Sequence, residues 1–198
     1  MSFHSRAYRK HFEGYTERRN PLSGAIERVY TAKYYKSGLS DRALKGRKCL
    51  YAGLFLFTAA LWLAVSVSGL PGTMVKYVSI FTALALFPLF LTAVSVASFC
   101  AAARKMTICQ YQDSSVRLKW SALAAGIVLV LTGLAELIFV ILNREAFLWQ
   151  EFLGVAGFFA AAAMMFTLFW LEHTTDYLLI PNENSVLSDD EDAAEIDV

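Results

Sequence analysis

Long runs of apolar residues dominate the middle of the chain. Four stretches of about 20 to 23 residues are almost entirely apolar, and they cover residues 49–69, 77–99, 120–142 and 152–171. An α-helix rises about 1.5 Å per residue, so each stretch is long enough to cross about 30 Å of hydrocarbon. Strands of a membrane barrel are only about 10 residues long and alternate polar with apolar residues. The pattern therefore predicts an all-α membrane protein, a bundle of four transmembrane helices.

The composition agrees with this class of protein. Of the 198 residues, 57% are hydrophobic and 18% are charged, which is more apolar and less charged than a soluble globular domain. The first apolar run begins only after residue 48, and no small-residue cleavage site follows it. We therefore expect the first helix to remain in the mature protein, because a signal peptide has a different pattern.

Lysine and arginine are unevenly distributed around the four predicted spans. Residues 1–48 hold twelve of them and the loop between the second and third spans holds four, whereas the other two loops hold one each. Membrane proteins retain positively charged loops on the cytoplasmic side. Both termini and the second loop are therefore predicted to face the cytoplasm.

The two ends of the chain carry opposite charges. Residues 1–48 contain twelve basic and four acidic side chains, a net charge of +8, and residues 172–198 contain nine acidic side chains and no Lys or Arg. The acidic tail is polar from about Pro181 onward and is predicted to be mostly disordered. Such ends are able to contact each other, or to recruit charged partners.

Basic side chains next to a membrane boundary are candidates for contact with anionic lipids of the inner leaflet. The candidates flank the first span or lie in the second loop: Arg42, Lys45, Arg47, Lys48, Arg104 and Lys105. Topology alone also explains a basic flank, since these charges hold the first span in its orientation. Aromatic residues interleave with the basic ones in residues 1–48, but we do not expect nucleic-acid binding, because the charge already has these two explanations.

Two local signals predict structure before the first span. Residues 20–24, Asn-Pro-Leu-Ser-Gly, form a strong turn signal between residues 15–17 and 26–30, which predicts a short β-hairpin. The second of these segments also fits helical spacing, so a helix there is the alternative. Ser40 followed by Asp41 predicts a helix start, and this helix is expected to continue directly into the first span.

Glu136 is the one acidic or basic residue within the four predicted spans. A carboxylate at this depth costs about 2.5 to 3.5 kcal/mol on insertion scales, so it is expected to face the interior of the bundle. The hydroxyls predicted at the same depth on the antiparallel first and second helices are those of Ser66, Ser68, Ser79 and Thr82. The group is interpreted either as a hydrogen-bonded clamp between helices or as a site for a proton or cation. The clamp is favoured, because no second acidic or basic group lies in any predicted span.

Small residues recur four positions apart in three of the spans. These motifs are Ala93, Ala97 and Ala101, then Ala122 and Gly126, then Gly157 and Ala161. Small side chains on one helix face allow a neighbouring backbone to approach closely. The motifs therefore predict positions of helix packing, without indicating a partner.

The sequence contains no recognisable catalytic, metal-binding or nucleotide-binding motif. We therefore expect no enzymatic activity, cofactor or metal ion; an enzyme would need an active site near His173 and Asp176. The leading prediction is a non-enzymatic scaffold, accessory subunit or adaptor, which binds the lipid bilayer and other membrane proteins or copies of itself. The alternative is a small homo-oligomeric transporter or channel in which Glu136 couples protons or cations.

Overall fold

The computed structural model of the protein describes residues 14–19, 25–143 and 149–182. The described residues are mostly helical and divide into two compact units. The helical unit comprises residues 40–101 and 113–175, and the sheet unit comprises the described parts of 1–39, 102–112 and 176–198.

Four long helices make up the helical unit. In chain order the helices are α1 (Asp41–Ser66), α2 (Lys76–Ala101), the short α3 (Ile108–Tyr111) of the sheet unit, α4 (Arg117–Leu142) and α5 (Trp149–His173). A π-helical turn, Gln112–Val116, joins α3 to α4. The four long helices are each long and apolar enough to cross a membrane. This confirms the four predicted helices and indicates a multi-pass membrane protein.

Helix α1 begins at the predicted position. The Ser40 hydroxyl accepts a hydrogen bond of 3.3 Å from the backbone N–H of Ala43, and Asp41 lies in the first turn. Both interactions stabilise a helix N-terminus, because the first N–H groups of a helix have no partner within it. The helix runs without a break to Ser66, so residues 49–66 of the first predicted span and the eight residues before them form one helix, which ends three residues before the predicted boundary.

Helix α4 is central to the helical unit, because it packs most extensively against α5 and next against α2. The largest fully buried apolar side chains come from α1, α4 and α5: Tyr51, Leu118, Leu129, Phe158, Met165 and Leu168. Large apolar side chains such as Phe87 and Trp120 are instead exposed on the outer faces of α2 and α4. Such outer faces are typical of helices that contact hydrocarbon.

Two of the three small-residue motifs lie where helices approach closely, as predicted. A Cβ atom at Gly126 would lie 2.9 Å from the Phe166 ring of α5, and one at Gly157 would lie 2.8 Å from Val65 Cγ2 of α1. Both distances are shorter than van der Waals contact, so glycine permits this packing. The third motif, on α2, faces outward at Ala97 and Ala101, which are exposed.

We predict that Gly126→Val destabilises the helical unit by about 1 to 3 kcal/mol more than Gly53→Val does. Both changes place valine inside a helix, so their effects on helix propensity match. A Cβ atom at Gly53 meets no atom within 4 Å, whereas the Gly126 position is occupied by the Phe166 ring. Thermal unfolding in detergent measures the difference. Equal melting temperatures would show that the close approach at Gly126 is not required.

The sheet unit contains strands, which the all-α prediction does not include. Strand β1 (Tyr15–Arg19) pairs antiparallel with β2 (Ile26–Tyr30), with Tyr15 opposite Tyr30. This confirms the predicted hairpin and excludes the helical alternative for the second segment. The predicted turn at residues 20–24 lies outside the described residues.

A second antiparallel sheet joins three distant segments of the chain. Its central strand β3 (Tyr34–Ser37) pairs with β4 (Lys105–Met106) on one side and with β5 (Tyr177–Ile180) on the other. Strand β5 lies in the predicted acidic tail, so the tail begins with ordered structure. The disorder predicted from about Pro181 concerns mainly residues 183–198, which lie outside the described residues.

Tyr30 connects several segments of the sheet unit. Its hydroxyl donates to the Lys33 carbonyl at 3.0 Å and accepts from the Ile108 N–H at 3.1 Å. Its backbone carbonyl accepts a hydrogen bond from the Asn182 side chain. Burial raises the pKa of the Tyr30 hydroxyl above its usual range, because desolvation disfavours the charged form. The hydroxyl therefore stays neutral and keeps both hydrogen bonds at physiological pH.

Candidate functional site

Glu136 lies beside a second buried acid. Glu136 on α4 is fully buried, and Glu151 in the first turn of α5 is only 2% exposed. Both border Gly72 in the loop between α1 and α2: a Cβ atom there would lie 2.6 Å from Glu151 Oε2 and 3.4 Å from Glu136 Cγ. We call these two side chains the acidic pair. Three separate segments of the helical unit therefore form the site.

Two glycines leave room for the acidic pair. A Cβ atom at Gly154 would lie 2.5 Å from Glu136 Oε1, and one at Gly72 would be almost as close to Glu151. Gly72 also donates its backbone N–H to Glu151 Oε1 at 3.1 Å. An alanine at either glycine would therefore displace a carboxylate, so the local backbone is fitted to the two acids.

Most oxygens of the acidic pair lack a hydrogen-bond partner. Among the described residues, both oxygens of Glu136 and Oε2 of Glu151 are buried and unpartnered. No described Lys, Arg or His forms an ion pair with either acid. Two carboxylates buried together without a cation repel each other strongly. A proton on one of them removes a charge and supplies a hydrogen-bond donor.

The hydroxyls predicted to surround Glu136 have other partners. Each of the four donates to a backbone carbonyl of its own segment: Ser66 to Trp62, Ser68 to Val65, Ser79 to Thr73 and Thr82 to Val78. Three of these carbonyls lie three or four residues back in the chain, and the Thr73 carbonyl lies six residues before Ser79, so each hydroxyl is satisfied locally. Among the described residues, none of these four hydroxyls is hydrogen-bonded to an oxygen of Glu136.

Glu151 was not among the residues predicted for the site, although the sequence carries a signal for its burial. The buried positions of α5 recur with helical spacing and include Glu151, Gly154, Phe158, Ala161 and Met165. Extending this buried stripe backward from Phe158 by two turns reaches Glu151. Because Glu151 is acidic, it was taken as the boundary of the apolar run that follows it. The predicted span therefore began at residue 152, and Glu151 was assigned to the loop before it.

A third buried acid, Glu172, lies near the other end of α5 and differs from the pair in its hydrogen bonding. It is 3% exposed, accepts a hydrogen bond of 2.8 Å from the Tyr51 hydroxyl of α1, and accepts another from Ser115 in the π-helical turn. Glu172 was predicted to belong to the acidic tail, residues 172–198. Its carboxylate instead joins three segments of the helical unit.

Two of the basic residues predicted to contact lipid bind helix ends. Arg47 donates to the Leu171 carbonyl of α5 at 3.2 Å, and Lys48 donates to the Cys100 carbonyl of α2 at 2.9 Å. Carbonyls in the last turn lack intrahelical donors, and cations are favourable there. The other candidates are exposed or half-buried, namely Arg42, Lys45, Arg104 and Lys105. Lipid contact stays a prediction for all six.

Metal binding at the acidic pair would have few side-chain ligands. In the part of the chain that the structure describes, no group of three or more His, Cys, Asp or Glu residues is able to hold a metal ion. The pair offers two carboxylates and one backbone N–H, whereas divalent cations usually take more oxygen ligands than this. A proton is therefore the simplest species that satisfies the pair.

No family model, curated protein or solved structure matches the chain.

We predict opposite effects of neutralising two buried glutamates. Glu136→Gln removes the repulsion within the acidic pair and provides an N–H donor, so it raises the melting temperature, increasingly as pH rises. Glu172→Gln weakens the bonds from Tyr51 and Ser115 and lowers stability by about 1 to 3 kcal/mol. Thermal unfolding of both purified variants measures the two effects. A lower melting temperature for Glu136→Gln at alkaline pH would contradict the unpaired state of the acidic pair.

Proposed function

We propose that the chain is a small membrane protein that transports protons and that the acidic pair carries the proton. One observation supports this proposal above the others: Glu136 and Glu151 are buried side by side, and three of their four oxygens have no hydrogen-bond partner among the described residues. Acids at membrane depth are costly, and they are typically retained for proton or ion pathways. The sequence pattern favoured a hydrogen-bonded clamp between helices, but a clamp would need hydrogen-bond partners for these oxygens.

In this proposal α1, α2, α4 and α5 cross the membrane and both termini are cytoplasmic. The twelve basic residues in 1–48 and the four between the second and third predicted spans support this orientation. The acidic pair then lies toward the outer face, where α4 ends and α5 begins. Glu136 stands six residues before the end of α4, or about 9 Å along the helix axis. The site is therefore close to the outer water, although it is buried.

The acidic pair provides a simple way to couple protonation to packing. One proton held between the two carboxyl groups leaves a single negative charge and forms a hydrogen bond. Loss of the proton leaves two negative charges in a medium of low dielectric constant, which favours separation of α5 from the α1–α2 loop. Because Gly72 binds Glu151 from that loop, its movement opens the pair toward water. Protonation thus shifts a two-state equilibrium.

A scaffold or adaptor is the second candidate function, and the sheet unit supports it. The sheet β4–β3–β5 joins segments that precede α1, follow α2 and follow α5. Leu178 and Leu179 on its edge strand β5 are 60% and 56% exposed. Exposed apolar side chains on an ordered strand are suited to contact with another protein. In this case the chain would recruit a membrane partner or a second copy of itself.

We predict that proteoliposomes containing the protein acidify inside when a proton gradient is applied. A trapped pH-sensitive dye reports the rate, with valinomycin and potassium present to compensate the charge. Glu136→Gln and Glu151→Gln should reduce the rate to that of empty liposomes, because neither variant keeps two carboxyl groups. Asp41→Asn, which neutralises an exposed acid at the start of α1, should leave the rate unchanged.

Equal rates for the protein, both glutamine variants and empty liposomes would overturn proton transport. For the adaptor function, we then expect a partner protein to be extracted with the chain in stoichiometric amount in mild detergent. The Leu178→Glu variant should lose this partner, and the Asp41→Asn variant should keep it.

A further inference from the structure

A groove of about 420 Å³ lies between α2 and α4 on the outside of the helical unit. Its volume falls in the range of pockets that hold small molecules, about 300 to 1,000 Å³. The apolar walls include Leu84, Phe87 and Pro88 of α2 and Trp120, Ala124 and Val128 of α4. Phe87 is 68% exposed and Trp120 is 59% exposed, so the groove opens sideways, away from the core.

The sequence explains why a groove forms between these helices. Pro88 lies inside α2, and a proline ring removes a backbone donor and distorts the helix locally. On the facing helix, the small side chains of Ser121 and Ala124 leave the space beside Pro88 unfilled. The bulky Phe87 and Trp120 side chains border this space without closing it.

Positive charge lies at one end of this apolar groove. Arg117 lines the groove at the beginning of α4, and Lys119 Nζ lies 5.7 Å from the centre of the Trp120 ring. Arg117 forms a salt bridge with Asp113 through one terminal nitrogen. A guanidinium group has five N–H donors in a planar arrangement, so the others are able to bind a phosphate while Asp113 holds the side chain in place.

We propose that the groove binds one acyl chain of an anionic phospholipid, whose headgroup contacts Arg117 and Lys119. The apolar walls open toward the hydrocarbon, which is the environment from which an acyl chain enters. The cations lie at the helix end that the orientation above places on the cytoplasmic side, where anionic lipids are concentrated. Trp120 lies at the same level, as aromatic residues do at membrane–water interfaces. The proposal depends on membrane insertion and is independent of proton transport.

Native mass spectrometry of the full chain in mild detergent tests the proposal with two probes. These are phosphatidylglycerol and phosphatidylcholine with identical acyl chains. We expect the protein to retain phosphatidylglycerol with an apparent affinity about tenfold higher, because charge-assisted hydrogen bonds distinguish the two headgroups. Ala124→Phe fills the groove and should abolish retention of both lipids. Ala60→Phe, at an exposed position of α1, is the matched control and should retain them.

The headgroup contact is tested by Arg117→Gln, with Arg42→Gln as control, since Arg42 is exposed on α1 and does not line the groove. Arg117→Gln should remove the preference for phosphatidylglycerol while Arg42→Gln keeps it. Unchanged lipid retention in Ala124→Phe would overturn the groove as the binding site. Unchanged preference in Arg117→Gln would overturn the anionic headgroup as the ligand. Ala124 is exposed, so its substitution leaves the core intact. The groove is therefore still tested by Ala124→Phe even if Arg117→Gln fails to fold.

Discussion

The repulsion between two buried carboxylates that have no cationic partner among the described residues is the constraint on which one end of the helical unit depends, where α4 ends and α5 begins. Glu136 and Glu151 are both buried, and three of their four oxygens have no partner among the described residues. The surrounding backbone is adapted to them, since Gly72 and Gly154 lie where any side chain would collide with a carboxylate. Such an arrangement is stable only if the charge is reduced. We therefore infer that a shared proton is part of the folded structure.

The two ends of α5 show opposite solutions to the burial of an acid. Glu172 is held by hydroxyl donors from Tyr51 and Ser115, which joins α1 and the π-helical turn to the end of α5. Glu151 receives one backbone N–H and lies beside another acid. Because unsatisfied buried polar groups cost more than satisfied ones, movement should begin at the Glu151 end. The close packing at Gly126 and Phe166 then gives α4 and α5 a fixed region about which such movement occurs.

Features that depend on local pattern were predictable from the sequence. The long apolar helices, the N-cap at Ser40 and the hairpin before it follow from runs, spacing and turn residues that are close together in the chain. The three-stranded sheet β4–β3–β5 was not predictable from local pattern, because its strands are short and come from distant segments of the chain. Only one member of the acidic pair was predicted. Glu136 lies inside an apolar run and is conspicuous there, whereas Glu151 lies directly before the run 152–171 and was taken as its boundary. The hydroxyls at the same predicted depth were expected to hydrogen-bond Glu136, but each donates to a backbone carbonyl of its own segment.

Infrared spectroscopy of the protein in membranes at neutral pH measures the shared proton directly. The carbonyl stretch of a protonated carboxyl group is resolved from that of a carboxylate, and it shifts when the sample is exchanged into heavy water. We expect a band from a buried protonated carboxyl group that disappears in both Glu136→Gln and Glu151→Gln and is unchanged in Asp41→Asn. An identical band in the protein and both glutamine variants, or no such band in the protein, would contradict it.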